Sequence, residues 1–257
     1  MILVMDVGNT NITLGVYDGD ELLYHWRIAT QRERTADEHA VLLQQLFAMG
    51  QITFQQIEGI IISSVVPPIM TALELMCLRY FGKKPFVVGP GIKTGLELKN
   101  ENPKEVGADR IVNAVAAIEL YGPPLIVVDF GTATTFCIID GNGRYVGGII
   151  APGIKIATEA LFQRAAKLPR IDLVKPPHVI GRNTITSMQS GVIYGFAGQV
   201  DGLVNRIQNE LSLPFTVIAT GGLAGVVADE SSAIHFIDPL LTLKGLRLIY
   251  QKNFTKQ

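Results

Sequence analysis

Cysteine is nearly absent from this 257-residue sequence, and no stretch approaches the ~18 uninterrupted apolar residues that a membrane-spanning helix needs. The two cysteines, Cys77 and Cys137, fall in an apolar helical pattern and a strand pattern. They read as reduced core thiols and exclude a disulfide framework. Asp6 interrupts the N-terminal apolar run, so neither a signal peptide nor a membrane partner is expected, and a cytoplasmic location fits best. The four histidines, His25, His39, His178 and His235, are scattered without ligand spacing, which argues against a zinc site and for surface or satisfied polar roles. A net charge of −1 and a pI near 6.4 supply no basic field, so no nucleic-acid partner is expected. Charged residues make up 18%, below the roughly 25% usual for soluble domains. With a mean hydropathy of +0.31, that scarcity suggests surface hidden in an oligomer. Also missing are a G-x-x-x-x-G-K-[ST] loop and a G-x-G-x-x-G after a strand, so any nucleotide must be held another way.

An acidic-glycine-threonine turn is present, and it occurs twice. Asp6-Val7-Gly8-Asn9-Thr10-Asn11-Ile12-Thr13 is echoed by Asp129-Phe130-Gly131-Thr132-Ala133-Thr134-Thr135-Phe136, each copy lying between apolar runs. Both read as tips of β-hairpins. A glycine there permits close backbone approach, while amides and short polar side chains converge on a concavity suited to an anion. A carboxylate beside a phosphate repels it unless a cation sits between them, so the pairing points to a metal-nucleotide complex. The bland alternatives are an ordinary hairpin turn for the first copy and, for the second, a repeat relic that kept only its geometry.

The coarse pattern repeats as well. Strands at 2–6, 12–17 and 22–28 precede a helix at 36–49, whose buried face is expected from Val41, Leu42, Leu46 and Phe47; a strand at 59–63, a helix at 70–81 and a short strand at 85–88 follow. After a helix at 109–120, strands at 125–129, 134–139 and 144–150 precede a helix at 154–166. A long helix at 184–211, a strand at 216–219, a Gly-Gly turn with a short helix, and a closing helix near 241–250 complete the chain. Two mixed α/β layers follow, expected as lobes at 1–118 and 119–257 with the doubled turns facing each other across a cleft.

The order of Asp6-Val7-Gly8-Asn9-Thr10, Gly107-Ala108-Asp109-Arg110, Asp129-Phe130-Gly131-Thr132 and Thr220-Gly221-Gly222 closely resembles the type III pantothenate kinases, and the similarity spans essentially the whole chain. The resemblance implies an α/β fold of duplicated ribonuclease-H-like lobes, of the actin, sugar kinase and acetate kinase superfamily, with mixed sheets and an ATP cleft between them. It implies ATP-dependent phosphorylation of pantothenate at the entry to coenzyme A synthesis, by a homodimer using ATP, Mg2+ and a monovalent cation (K+ or NH4+). In that reading the turn from Asp6 through Thr13 grips the nucleotide phosphates, with Asp6 placed for magnesium or its water shell. Asp129 helps bind the monovalent cation and Thr132 contacts ATP. Asp109 accepts the proton of the pantothenate hydroxyl, Gly107, Ala108 and Arg110 line the substrate site, and Thr184 adds a substrate-binding hydroxyl, reaching across a subunit boundary. Asn100 stands where many relatives carry a tyrosine that touches substrate, a departure that puts this contact in question.

Phosphoryl transfer needs immobilised phosphates, offset charge and an acceptor hydroxyl beside a proton acceptor, and the candidates cover these parts. Several also have purely structural readings. Asp109 stands before the apolar stripe Ile111, Val112, Val115 and Ile118, where an N-cap aspartate is favoured, and Thr184 invites the same reading. Gly221 and Gly222 allow an adenine or ribose to lie on bare backbone, or simply turn a strand into a helix. Lys93, Lys99, Lys104, Arg164, Lys167 and Arg170 read as solvated faces. Two alternatives remain beside the kinase of the resemblance: action on another small polyol or carboxylate, and a non-catalytic actin-like nucleotide-binding regulator.

Overall fold

A computed structural model describes residues 1–254 of the chain. Its contacts divide into two compact units: Met1–Leu96 with Glu101–Ala116 and the stretch from Leu241, and Glu97–Asn100 with Ala117–Leu240. The C-terminal helix thus counts with the first unit rather than with a lobe running from 119 to the end. Two bare contacts account for this. A side chain on Gly245 would run into the Val112 carbonyl (2.3 Å), and one on Gly59 would overlap the Tyr250 ring.

The first unit is built on β1 (Ile2–Val7), β2 (Asn11–Asp18), β3 (Glu21–Ala29), α1 (Ala36–Met49), β4 (Gly59–Ser64), α2 (Pro67–Met76) and β5 (Phe86–Val87), in sheet order β3-β2-β1-β4-β5. The first three strands meander antiparallel; β4 and β5 run parallel to β1. Alternation along each strand then assigns the faces. Leu3, Met5, Val7, Ile12, Leu14, Ile60 and Ile62 form a core with α1 and α2, which leaves Val4, Asp6, Gly15, Ile61 and Ser63 to the other side. There the Leu243 side chain lies against Gly15.

α1 begins with a capping box: Glu38 N–H donates to Thr35 Oγ1 at 3.3 Å, and Thr35 N–H to Glu38 Oε2 at 2.7 Å. Its buried stripe is Ala36, His39, Ala40, Leu43 and Phe47. The expected face was rotated: Val41 is 56% exposed, and small alanines and a histidine occupy the seam because α2 packs closely there. His39 is fully buried with no hydrogen-bond partner for either ring nitrogen among the described residues, which corrects its reading as a surface or satisfied residue. α2 begins at Pro67, three residues before the expected start at 70, and the proline occupies its first turn, where the missing N–H costs nothing. After Met76 the chain loosens into one π turn, Cys77–Phe81. Both cysteines are buried, and neither forms a disulfide among the described residues.

α3 (Ala108–Tyr121) starts in the first unit and ends in the second. The second unit holds β6 (Leu125–Phe130), β7 (Ala133–Ile139), β8 (Tyr145–Pro152), α4 (Ile154–Arg164), α5 (Thr184–Leu211), β9 (Thr216–Thr220), α6 (Ala224–Val227) and β10 (Phe236–Ile237). The order β8-β7-β6-β9-β10 repeats the first sheet strand for strand, with β6, β7 and β8 antiparallel and β9 parallel to β6. Ile126, Val128, Phe130, Phe136, Val217 and Ala219 pack against Val192, Val200 and Val204 of α5. α7 (Leu241–Asn253) closes the chain. No helix among the described residues is long and apolar enough to cross a membrane.

Candidate active site

Within the first unit the Asp6 turn is a hairpin tip held from beneath. Gly8 N–H donates to the Asn11 carbonyl (3.0 Å), Thr30 Oγ1 to the Gly8 carbonyl (2.6 Å) and Thr30 N–H to the Thr10 carbonyl (3.0 Å). Three carbonyls that would repel a phosphate, those of Gly8, Thr10 and Asn11, are thereby consumed inside the protein. Arg32 reaches the Asn9 side-chain oxygen at 3.5 Å. Thr30 lies beyond the end of β3, and nothing in its local sequence marks it as support for this turn.

Strand register places a hydroxyl on each side of Asp6: Thr13 on β2 and Ser63 on β4. The second sheet repeats the arrangement, with Thr135 on β7 and Thr220 on β9 flanking Asp129. The two tips differ in length. Val7 pairs with Ile12 across four loop residues, whereas Phe130 pairs with Thr134 across three, so the copies match position for position only as far as their glycines.

Asp109 belongs to the first unit too. The Gly107 carbonyl accepts Ile111 N–H at 3.2 Å, so position 107 caps α3 and Asp109 lies one residue inside the helix. Its carboxylate accepts Arg110 N–H at 2.8 Å, satisfying one orphan amide of the first turn without being the N-cap. The N-cap reading of Asp109 is thereby corrected: the cap position falls at 107. That carboxylate folds back over Gly107, where a side chain would come within 2.5 Å of Oδ1. Burial holds the Asp109 pKa above the usual carboxylate range, against the opposing pull of the Arg110 amide and guanidinium. Val65 connects this segment to the turn: its N–H donates to the Val7 carbonyl (3.1 Å), and its methyl group would meet a side chain on Gly107 at 3.6 Å.

In the second unit Asp129, Thr132 and Gly221 come together. Gly221 adopts φ +93°, and a side chain there would approach Asp129 Oδ1 to 2.4 Å and the Phe130 backbone to 2.8 Å. Its bareness admits the Asp129 turn, and Gly222 beside it is exposed. Gly153, before α4, lies equally close to the Thr132 carbonyl (2.2 Å to an added Cβ), a contact no local pattern announces. Asn100 lies in a short segment bonded to β8 through Tyr145 N–H to the Glu97 carbonyl (2.9 Å) and Lys99 N–H to the Tyr145 carbonyl (2.8 Å). Thr184 is exposed, and Asn183 rather than Thr184 caps α5 by accepting Thr186 N–H at 2.9 Å. With the cap supplied next door, the Thr184 hydroxyl is not spent on it. Thr184 lines a cavity of about 640 Å3 with Leu161, Leu168, Met188, Val192 and Phe196.

Among the described residues no three His, Cys, Asp or Glu side chains cluster as a metal cage. Isolated aspartates at phosphate-type turns suit Mg2+, which takes one or two carboxylates and draws its other ligands from substrate phosphates and water.

The chain is similar over its full length to proteins of known family. Residues 2–206 match a family model described as type III pantothenate kinase. A protein of Geobacillus sp. (strain WCH70) named type III pantothenate kinase is 62% identical over 257 residues, covering 100% of both chains. Among solved structures, a conserved putative Baf family transcriptional activator from Campylobacter jejuni superposes with a TM-score of 0.62 at 19% identity, over 98% of each chain. An inorganic polyphosphate/ATP-glucomannokinase from Arthrobacter sp. strain KM does so with a TM-score of 0.53 at 14% identity, over 98% of each chain. At such identities these structures share the fold alone.

Proposed function

As a member of the type III pantothenate kinase family this chain is a kinase of the actin and sugar kinase fold, and we propose that it transfers the γ-phosphoryl group of ATP to the primary hydroxyl of pantothenate, the first step of coenzyme A synthesis. The observation that carries the mechanism is the connection inside one unit of a phosphate-type turn, the Val65 link and the buried Asp109. In this reading the Gly8–Asn11 tip binds the nucleotide phosphates with amides and short polar side chains other than the Gly8 N–H, which is turned onto the Asn11 carbonyl, while Thr30 holds it rigid. Asp6 holds magnesium, directly or through water, and Asp129 holds a monovalent cation, K+ or NH4+, with Thr132 on ATP. Bound cations supply charge neutralisation for the transferring group. Asp109 orients the acceptor hydroxyl and takes its proton late in transfer; its raised pKa makes it a stronger base than a solvated carboxylate. Arg110 offers a fork to the pantothenate carboxylate, with Gly107 and Ala108 as backbone walls. Asn100, Gly221 and Gly222 complete the candidate binding groups.

The chain functions as a cytoplasmic homodimer in this proposal, with its two compact units as the kinase lobes. The apolar cavity at Thr184 and the exposed Ile150, Ile156, Val179, Ile180 and Ile185 of the second unit support a protein-covered face there. The acceptor is tested by measuring ADP release with pantothenate, a sugar panel or no acceptor, in K+ and then in Na+. Pantothenate-dependent release stimulated by K+ supports the proposal; equal release without acceptor overturns it.

A further inference from the structure

Ser63 is fully buried, and its hydroxyl has no hydrogen-bond partner among the described residues. A buried hydroxyl left unmade costs about 1–3 kcal/mol, so its retention calls for a partner that the protein alone does not supply. Its neighbour sharpens the contrast: Ser64 Oγ accepts Val66 N–H at 3.1 Å. Register puts Ser63 directly beside Asp6 on the adjacent parallel strand, so both side chains leave the sheet on the same face, at the end of β1 where the phosphate-type turn begins. The second sheet also keeps a hydroxyl, Thr220, in this place beside Asp129. Among the described residues one other serine or threonine hydroxyl is buried without a partner, that of Thr134, but it shares its face with Phe130 and Phe136 on the core side.

We infer that the Ser63 hydroxyl is a binding group for the hydrated divalent cation–nucleotide complex that Asp6 receives. It bonds a cation-bound water or a phosphate oxygen and so fixes the complex laterally on the sheet edge. The inference deepens the reading of the Asp6 turn and rests on it. A hydroxyl serving only the fold and one serving the ligand respond oppositely to removal. Because Ser63 Oγ makes no bond within the protein, its loss costs the ligand-free fold nothing.

The test compares Ser63→Ala with wild type in two readouts, melting temperature without ligand and calorimetric affinity for ADP with Mg2+ or with EDTA. We expect an unchanged or raised melting temperature, a 5- to 30-fold weaker Kd for Mg·ADP, and no difference in EDTA. Ser63→Thr, which installs the residue found beside Asp129, restores the Mg·ADP affinity. A well-folded Ser63→Ala protein with wild-type Mg·ADP affinity overturns the inference, as does a lowered melting temperature with proportionate loss in both buffers. Asp6→Asn serves as the control. If Asp6→Asn loses affinity while Ser63→Ala keeps it, only the role of Ser63 falls; if both keep it, the reading of the Asp6 turn falls as well.

Discussion

Asp6 and Asp129 occupy the same place in two sheets of identical strand order, each at the end of a central strand, each flanked in register by a threonine on the antiparallel neighbour and a hydroxyl residue on the parallel one. Their surroundings have diverged. A side chain on Gly8 would meet only its own loop, at the Asn11 carbonyl, whereas the Asp129 turn is pressed by Gly153 and Gly221 from two further strand ends. The first turn is held from beneath by Thr30; the second has glycines closely packed at its base, with Gly131 and Thr132 still exposed at its tip.

Removing the proton acceptor should separate chemistry from nucleotide binding. Asp109→Asn is expected to lower kcat at least ~100-fold while the affinity for ATP stays within a few-fold of wild type. Steady-state kinetics with a parallel calorimetric titration of ADP checks both.

The same substitution should stabilise the ligand-free fold near neutral pH. A carboxyl whose folded pKa is raised contributes stability that is present below its unfolded value and lost as pH rises through the folded value, so at pH 7 the buried charge of Asp109 is a cost. The melting temperature of Asp109→Asn should exceed wild type at pH 7, and the gap should narrow as pH falls toward 4. Wild-type turnover should run oppositely, rising with pH through an acid limb displaced above the ordinary carboxylate range.

His39 sets a second pH dependence with the other sign. Burial, and then Arg34, lower its pKa from 6.5 to about 4, so the folded state keeps it neutral. Its stability contribution is complete above 6.5 and drains away as pH falls toward 4, amounting to about 3 kcal/mol over the window. Denaturant unfolding across that range should show the loss in wild type and a flatter profile in His39→Leu.

Thr30 supports the first turn without touching the chemistry. Thr30→Val keeps the shape and the backbone N–H to Thr10 but removes the 2.6 Å bond to the Gly8 carbonyl. A stability loss of about 1 kcal/mol is expected, with a several-fold rise in KM for ATP and little change in KM for pantothenate. Equal rises in both constants would contradict a role confined to the nucleotide turn.

Gly221→Ala should damage the second turn specifically. Its positive φ and the 2.4 Å approach to Asp129 leave no room for a methyl group, so a loss of about 1–3 kcal/mol in stability and weaker activation by K+ are expected. Activity titrated against KCl at fixed ionic strength, beside a melting curve, measures both.

What was legible in the sequence is what local chemistry writes. α1 and α5 run 36–49 and 184–211 as read, because Thr35 with Glu38 and Asn183 with Thr186 place their caps within four residues. Both turns are hairpin tips, and the repeated element order becomes a repeated sheet order. The details that were not legible come from distance along the chain. Ser63 meets Asp6 through parallel pairing, Thr30 reaches Gly8 from beyond β3, and Gly153 presses Thr132 from the start of α4. The buried face of α1 was misjudged for a related reason: close packing with α2 favours Ala36, Ala40 and the neutral His39 over the bulkier Val41. Asp109 was ambiguous because its position serves a helix end and a reaction equally, and its burial depends on how the chain packs around α3.

The central claim is transfer to pantothenate with Asp109 as proton acceptor, and identifying the phosphorylated product tests it most directly. Wild type and Asp109→Asn are incubated with ATP, Mg2+, K+ and pantothenate, and the phosphorus-containing products are resolved by 31P NMR. The account predicts a phosphomonoester on the primary hydroxyl in wild type, formed in step with ADP, and at least ~100-fold less in the variant over the same interval. Inorganic phosphate as the sole product, or equal ester formation by both proteins, would contradict it.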